Sequence, residues 1–280
     1  MLDDGQSIKA LEQKEISKAL KPWENTIIKN FLPVVAENGV FAVSDGMGGH
    51  NAGEEASRLA VEQLFSMKKY IFQTPAPEGI TSRFQDYVVK ANTFINTKAG
   101  KNNELKGMGA TLTGILLCEA GVLTFNLGDS RTYAFSAQGL TRLTRDHTEG
   151  QRLLDFGTIK PEELHLMENA KAITRYLGVD DKYLIPQADI EGPIPVEKKI
   201  WLLLCSDGLT DMLSDEEISI ILFEHFSVGK QENAARLLVE KALEDKPGQR
   251  GGIDNITVLL VEADRHIPTI LEHIKEFFKN

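Results

Sequence analysis

The chain has 280 residues, of which 42% are hydrophobic, and its formal net charge is −10. This length permits one large domain with a substantial core. The negative charge disfavours non-specific binding to nucleic acid or anionic membranes, because such surfaces attract clustered Lys and Arg. No basic-then-apolar leader is present, and no apolar run approaches the roughly 20 residues of a membrane-spanning helix. We therefore expect a cytoplasmic protein.

The two cysteines lie inside apolar runs and are too few for a disulfide framework or a zinc site, so we expect Cys118 and Cys205 to be reduced thiols. The predicted elements begin with an amphipathic helix over residues 7–20. A buried strand follows at residues 40–43. A glycine-rich turn separates this strand from a helix for which Asn51 and Glu54 form a predicted capping box.

The middle of the chain changes from helical to β periodicity. A second helix carries Phe84, Val88, Ala91 and Ile95 on one face and ends near Gly100. Three short β-rich runs follow, and the first two are predicted to form an antiparallel hairpin. These runs cover residues 111–117, 121–126 and 132–135.

The last third of the chain contains two further apolar runs, at residues 199–205 and 255–261, that are predicted strands. Helices are predicted at 214–223, opened by the capping box of Ser214 and Glu217, and at 232–243. A more polar helical segment over residues 146–175, with Pro161 at a first helical position, can form a flap. Strand clusters with interspersed helices, without regular βαβ alternation, favour an α+β domain.

Three aspartates, Asp45, Asp207 and Asp254, lie beside glycine or asparagine where an apolar run begins or ends. A single Asp-Gly pair most often marks a turn. A carboxylate at the mouth of a buried strand is costly to desolvate, however, and a hard divalent cation can offset that cost. Two cations about 4 Å apart can clamp a phosphate and activate a shared water. The three aspartates together therefore predict a Mg²⁺ or Mn²⁺ site that acts on phosphate.

Seven short motifs occur in a fixed order along the chain, at residues 41–56, 109–112, 128–131, 146–148, 173–178, 206–208 and 254–255. A set of motifs in a given order is far more specific than any one of them. This order resembles that of the metal-dependent, type 2C protein serine/threonine phosphatases in their bacterial form.

This resemblance implies an α+β fold, with a central β-sandwich of two antiparallel sheets flanked by helices on both faces, a four-layer αββα arrangement. We assign residues 1–262 to the phosphatase-like domain, with a divergent segment at 1–32, and residues 263–280 to a C-terminal amphipathic helix. The resemblance also implies phosphoprotein substrates, produced by a serine/threonine kinase in bacterial signalling. We further expect a monomer that binds neither nucleic acid nor a membrane.

The resemblance assigns roles to particular residues. Asp45 bridges two Mn²⁺ or Mg²⁺ ions, Gly46 contributes a backbone carbonyl, Asp207 and Asp254 complete one ion's shell, and Asp129 belongs to a weaker third site. A metal-bound hydroxide then attacks the phosphoserine or phosphothreonine ester directly, without a phosphoenzyme.

Several other polar residues have less specific signals. Thr111 is predicted to support the metal shell through hydrogen bonds. His147 is more consistent with a structural role than with proton donation, and Arg131 and Arg175 are predicted to form structural ion pairs.

The N-terminal part of the chain departs from the family pattern. The family's phosphate-binding arginine and the Asn-Glu-Asp or Asn-Gln-Asp triplet, whose aspartate ligates the second ion, are not present in plain form. One alignment puts Lys29 in place of that aspartate, which would damage the second site. The other makes Asp3 or Asp4 the ligand and treats the helix at 7–20 as an insertion.

Two alternatives to the protein phosphatase follow. The departure at Lys29 motivates a catalytically impaired pseudophosphatase that acts as a phosphoprotein-binding or regulatory module. The same metal centre is also compatible with an enzyme that hydrolyses a small-molecule phosphoester.

Overall fold

The computed structural model describes residues 39–180, 185–196, 199–229, 231–248 and 250–263. The predicted helices at 7–20 and beyond Ala263, together with Asp3, Asp4 and Lys29, lie outside these ranges. The strands are β1 (Gly39–Val43), β2 (Gly46–Met47), β3 (Gly109–Ala110), β4 (Leu112–Cys118), β5 (Gly121–Leu127), β6 (Arg131–Ser136), β7 (Gly139–Arg142), β8 (Asp189–Ile194), β9 (Ile200–Cys205) and β10 (Val258–Ala263). The α-helices are α1 (His50–Ile71), α2 (Pro77–Lys101), α3 (Glu149–Asp155), α4 (Asp207–Thr210), α5 (Asp215–Ser227) and α6 (Gln231–Leu243).

The longer strands form two four-stranded antiparallel sheets. The first has the order β1-β4-β5-β8 and the second has the order β10-β9-β6-β7, while β2 and β3 pair separately. The predicted hairpin is β4–β5, in which Leu112 lies opposite Leu127 and Cys118 opposite Gly121. The strand predictions at 40–43, 111–117, 121–126, 132–135 and 199–205 are therefore confirmed to within one residue at most ends.

The two sheets pack face to face because their strands alternate apolar side chains between two faces. In β9, Leu202 and Leu204 join the core between the sheets, and Leu203 and Cys205 join the core under the helices. The first sheet contributes Ile115 to the core between the sheets, where it packs with Val43, Leu117, Val122, Val261 and Ala263.

Helices cover both outer faces of the sandwich. The helices α1 and α2 pack on the first sheet, with Phe84 ring-stacked on Phe125 of β5 at 4.3 Å between centroids. The helices α5 and α6 pack on the second sheet, where Phe226 contacts the Trp201 ring edge-to-face at 4.8 Å. The four-layer αββα prediction is confirmed. None of the helices in the described ranges is long and apolar enough to cross a membrane.

Of the two predicted capping boxes, one is present in the structure and the other is not. Ser214 and Glu217 form the predicted reciprocal capping box at the start of α5. The predicted capping box of Asn51 and Glu54 is wrong, because α1 already begins at His50 after Gly49, which has φ 89° and no side-chain cap. Only glycine adopts this backbone without strain, so backbone geometry starts the helix here instead of a side chain.

Two other predicted boundaries shift. The strand expected at 255–261 begins at Val258, because the preceding residues turn to contact Ser206. The helical segment expected at 146–175 contains only the two-turn helix α3 and a 3₁₀ turn, Pro161–Leu166, that begins at the predicted proline. We call residues 143–188, between β7 and β8, the crossing segment.

Candidate metal centre

Asp45 lies in the turn between β1 and β2, and Thr111 fixes its backbone. The Asp45 amide donates to Thr111 Oγ1 at 2.9 Å, and the Thr111 amide donates to the Asp45 carbonyl at 2.8 Å. Thr111 Oγ1 also lies 2.7 Å from Ser130 Oγ in the buried interior. The predicted supporting role of Thr111 at Asp45 therefore has a direct structural counterpart.

Gly46 follows Asp45 and is in close contact with the first turn of α1. A Cβ atom on Gly46 would lie 1.9 Å from the carbonyl oxygen of Gly53, and one on Gly53 would lie 2.6 Å from the Gly46 carbonyl oxygen. Because no side chain fits between them, both positions require glycine. The contact places α1 directly against the turn that carries Asp45.

Asp207 is the first residue of α4 and is separated from the buried strand β9 only by Ser206. Its neighbour Ser206 joins this turn to the loop before β10, because the Ser206 hydroxyl donates to the Asn255 carbonyl at 3.2 Å and accepts from the Thr257 amide at 3.0 Å. A Cβ atom on Gly208 would lie 2.3 Å from the Asn255 carbonyl oxygen. These contacts bring the loop that carries Asp254 against the turn that carries Asp207.

Asp254 is exposed, and its Oδ1 accepts a hydrogen bond from the Asn255 amide at 2.7 Å. Its charge nevertheless acts on Asp45 and Asp207, whose pKa values it raises in addition to the larger effect of burial. The structure thus brings Asp254 to the rim of the pair formed by Asp45 and Asp207.

Asp129 lies in the turn between β5 and β6, directly after Gly128. His147 holds Gly128 at two points: the His147 amide donates to the Gly128 carbonyl at 2.9 Å, and the Gly128 amide donates to His147 Nδ1 at 3.1 Å. Gly128 has φ 110°, and a Cβ there would lie 2.6 Å from Thr111. The turn of Asp129 is therefore packed against the residue that fixes Asp45.

The electrostatics of these carboxyl groups is dominated by burial and mutual repulsion. Burial, followed by the charge of Asp207, raises the pKa of Asp45 to about 8. Burial likewise raises the pKa of Asp207 and brings that of Asp129 to about 7, with Asp207 as the next contributor at Asp129. Like charges that are partly buried disfavour one another's ionisation in this way.

The carboxyl groups of Asp45 and Asp207 face each other, and each changes the pKa of the other. Two facing carboxylates repel each other when both are ionised, so the pair favours a bound proton or a bound cation. The Oδ1 atom of Asp207 is buried without a hydrogen-bond partner. A buried carboxylate oxygen in this state is unfavourable unless a cation or a donor satisfies it.

No three acidic, histidine or cysteine side chains within the described ranges are grouped closely enough to enclose a metal ion on their own. Oxygen-ligated dications do not require such a group, because backbone carbonyls, water and substrate oxygens also serve as ligands. The carboxylate oxygens of Asp45 and Asp207, including the unpartnered Asp207 Oδ1, are the type of ligand that Mg²⁺ and Mn²⁺ prefer.

His147 is occupied by structural contacts. Because Nδ1 accepts from Gly128, the proton of the neutral ring lies on Nε2, which is 3.0 Å from Asp189 Oδ2. Burial is the main cause that lowers the pKa of His147. Arg175 binds both carboxylate oxygens of Asp189 at 2.7 Å and lies against the ring. The predicted structural roles of His147 and Arg175 are confirmed by these contacts.

Arg131 is also in an ion pair, as predicted: its Nη2 lies 2.7 Å from Asp146 Oδ2, and Arg142 contacts the same carboxylate. Both cysteines are free thiols, and Cys205 is buried. Burial raises the pKa of the Cys205 thiol to about 12, so it is not a thiolate nucleophile.

Sequence reasoning missed three charged residues near these turns: Asp189, Lys171 and Asp211. Asp211 follows Asp207 by four residues, and this helical spacing was a signal that placed the two on one face. Lys171 and Asp189 carry no local signal. Lys171 is a single charge in the crossing segment, and Asp189 is a single charge on the first residue of β8.

The fold and the acidic turns from both sheets define the class that the motifs indicated, a metal-dependent phosphatase. The chain belongs to the protein phosphatase 2C family, whose model matches residues 33–245.

The relatives of the chain agree with this family. It is 35% identical over 227 residues to a protein of Listeria monocytogenes serotype 4b (strain F2365) named serine/threonine phosphatase stp, covering 80% of this chain and 84% of that protein. It is similar to the crystal structure of the Mycobacterium tuberculosis serine/threonine phosphatase PstP/Ppp, with TM-score 0.65, 32% identity, and coverage of 85% and 95%. A structure of the PstP catalytic domain in complex with 2 manganese ions gives TM-score 0.62 at 32% identity, with coverage of 85% and 94%.

Proposed function

We propose that this chain is a metal-dependent protein phosphatase that hydrolyses phosphoserine and phosphothreonine esters. The observation that carries the proposal is the pair of facing, partly buried carboxyl groups of Asp45 and Asp207, in which Asp207 Oδ1 is buried without a hydrogen-bond partner. Family membership and relatives named as serine/threonine phosphatases support the enzyme over the pseudophosphatase.

We assign Asp45 and Asp207 as the central metal ligands, with the Gly46 carbonyl and Asp254 completing the shell and Asp129 at a weaker site. The manganese-containing relative supports Mn²⁺ as one suitable ion, and two ions per chain as the expected number. Mg²⁺ has the same preference for oxygen ligands. When bound, these cations supply Lewis acidity toward the phosphoryl group and activation of water.

The protein's own residues prepare this centre. Thr111 holds the Asp45 backbone at two points, which restricts where its carboxylate can lie. Ser206 holds the loop of Asp254 against the turn of Asp207. Carboxylates bind a cation in their ionised form, so the raised pKa values of Asp45 and Asp207 make cation binding compete with protonation.

The substrate class follows from the phosphatase reaction and the relatives. We infer phosphoprotein substrates, which a serine/threonine kinase supplies by the reverse modification, and a monomeric, cytoplasmic enzyme. The domain limits at 1–262 and the C-terminal helix at 263–280 also remain predictions. A small-molecule phosphoester is the competing substrate class, and comparing turnover of phosphopeptides and nucleotides discriminates between them.

The decisive experiment measures hydrolysis of p-nitrophenyl phosphate and a phosphoserine peptide with and without Mn²⁺. We expect Asp207→Asn to abolish most of the metal-dependent rate, because it removes a ligand charge from the centre of the pair. Asp86→Asn is the matched control, since Asp86 is an exposed aspartate on α2 that contacts Tyr70. Hydrolysis that survives both a chelator and Asp207→Asn contradicts the proposed function.

A further inference from the structure

Lys171 reaches from the crossing segment to the helix that begins at Asp207. Its Nζ lies 2.6 Å from Asp211 Oδ2, with 77% of the lysine side chain and 26% of the aspartate side chain exposed. Asp211 follows Asp207 by one helical turn, and its amide donates to the Asp207 carbonyl at 2.8 Å. The ammonium is therefore bound one turn away from a proposed metal ligand.

The backbone on both sides of Lys171 is fixed. The Glu149 amide donates to the Ala172 carbonyl and the Gly150 amide donates to the Ala170 carbonyl, each at 2.9 Å. A Cβ atom on Gly150 would lie 2.8 Å from the Ala170 carbonyl oxygen, so the two backbones are in direct contact. The start of α3 thus holds Lys171 in place, and its side chain reaches Asp211 from a fixed base.

The same part of the crossing segment is attached to the turn of Asp129. His147, two residues before α3, makes its two hydrogen bonds to Gly128, and the Thr174 amide donates to the His147 carbonyl at 2.8 Å. The segment that presents Lys171 is therefore tied to the Asp129 turn on one side and, through the ammonium, to the Asp207 helix on the other.

The carboxylates around this ammonium repel one another. Beyond the larger effect of burial, the charge of Asp211 raises the pKa values of both Asp129 and Asp207. An exposed lysine–aspartate pair contributes little to folding stability. A positive charge held at Asp211, whose own charge acts on Asp129 and Asp207, also acts on cations that approach these carboxylates, because the interaction energy scales with the product of the charges.

We propose that the Lys171 ammonium, held beside Asp211, acts as a tethered cation at the carboxylates of Asp129, Asp207 and Asp211. It thereby weakens the binding of an additional divalent ion there. This inference rests on the proposed metal-dependent function and extends it to the weak site assigned to Asp129. In this protein, an ammonium from the crossing segment supplies part of the charge that a further dication would otherwise supply.

The test counts Mn²⁺ ions bound to the full chain by electron paramagnetic resonance of free Mn²⁺ and by calorimetric titration. We expect Lys171→Ala to tighten the weakest Mn²⁺ site about tenfold, or to add one measurable site, since one positive charge is removed near the ion. Lys171→Arg keeps the charge and should match the wild type. Lys199→Ala is the control for loss of an ion pair, because Lys199, directly before β9, contacts Glu262 of β10 at 2.6 Å, at the end of these strands opposite to the turn of Asp207.

Two results overturn the inference: Lys171→Ala with the same number and affinity of Mn²⁺ ions as the wild type, or equal tightening in Lys199→Ala. A separate activity assay on the same preparations distinguishes failure of the proposed function from failure of the inference about Lys171. If wild-type protein shows no Mn²⁺-dependent hydrolysis of p-nitrophenyl phosphate, the proposed function fails, whereas the inference about Lys171 fails only on the difference in ion binding.

Discussion

Thr111 and Asp45 hold each other by two reciprocal hydrogen bonds, from the Asp45 amide to the Thr111 hydroxyl and from the Thr111 amide to the Asp45 carbonyl. The same hydroxyl contacts Ser130 in the next turn. One small side chain thus couples the turn of Asp45 to the turn that follows Asp129. The position of the Asp45 carboxylate depends on this coupling.

Thr111→Val should therefore impair both folding and metal use. The change leaves the Asp45 amide and the Ser130 hydroxyl without this partner, at a cost of about 1–3 kcal/mol in the free energy of unfolding. Urea denaturation measures the loss, and the Mn²⁺ concentration for half-maximal activity should rise. Thr111→Ser should restore much of both. Thr93→Val, at an exposed threonine that bonds within α2, serves as control; if it matches Thr111→Val, the coupling through Asp45 is not the cause.

The contact between Gly208 and Asn255 gives a second prediction. Gly208→Ala places a methyl group 2.3 Å from the Asn255 carbonyl oxygen, so the loop of Asp254 has to move away from Asp207. We expect a large fall in kcat/KM for p-nitrophenyl phosphate. Gly100→Ala near the end of α2 meets no atom within 4 Å and should raise helix stability by about 0.5–1 kcal/mol with activity unchanged. Wild-type activity in Gly208→Ala would mean that the loop position is unimportant.

The buried imidazole of His147 should make stability depend on pH. Burial lowers the pKa of His147 below its usual 6.5, so the folded protein binds a proton less readily than the unfolded chain. Its contribution is fully present above pH 6.5 and is lost as the pH falls toward the lowered pKa. Besides Gly128, the groups that face the ring are Asp189 and Arg175, and Asp146 also acts on it electrostatically.

Denaturation between pH 5 and 8 measures this effect. The variant His147→Asn keeps an acceptor for the Gly128 amide but does not titrate, so its unfolding free energy should change less with pH over this window than that of the wild type. Equal slopes for the two proteins would assign the pH dependence to other groups.

The carboxylate of Asp146 should matter for stability through the arginines it binds. Its side chain is only 11% exposed, and it pairs with Arg131 and Arg142. Asp146→Asn removes the negative charge between two cations, and breaking a buried pair costs about 3–5 kcal/mol, less here because Arg131 is partly exposed. Thermal unfolding measures the loss. Glu149→Gln, which breaks an exposed pair with Arg152, should leave Tm unchanged; comparable shifts in the two variants argue against burial as the reason.

Much of the fold could be predicted because its signals are local. Apolar periodicity placed most strands of the sandwich to within one residue, and the capping box at Ser214 and Glu217 started α5 as expected. The motif order also indicated the family. The assignment of Asp45, Gly46, Asp129, Asp207 and Asp254 as metal ligands stays a prediction, although the structure brings the carboxyl groups of Asp45 and Asp207 to face each other with the other acidic turns around them.

The sequence by itself determined the alternation of the strands, the family motifs and the acidic residue at each turn, because each depends on neighbours a few positions away. Only the tertiary structure decided that α1 starts at a glycine, that Asp189 lies between His147 and Arg175, and that Lys171 meets Asp211. Such contacts join residues far apart in the chain. Their formation depends on the path of the crossing segment over the sandwich, which no local pattern specifies.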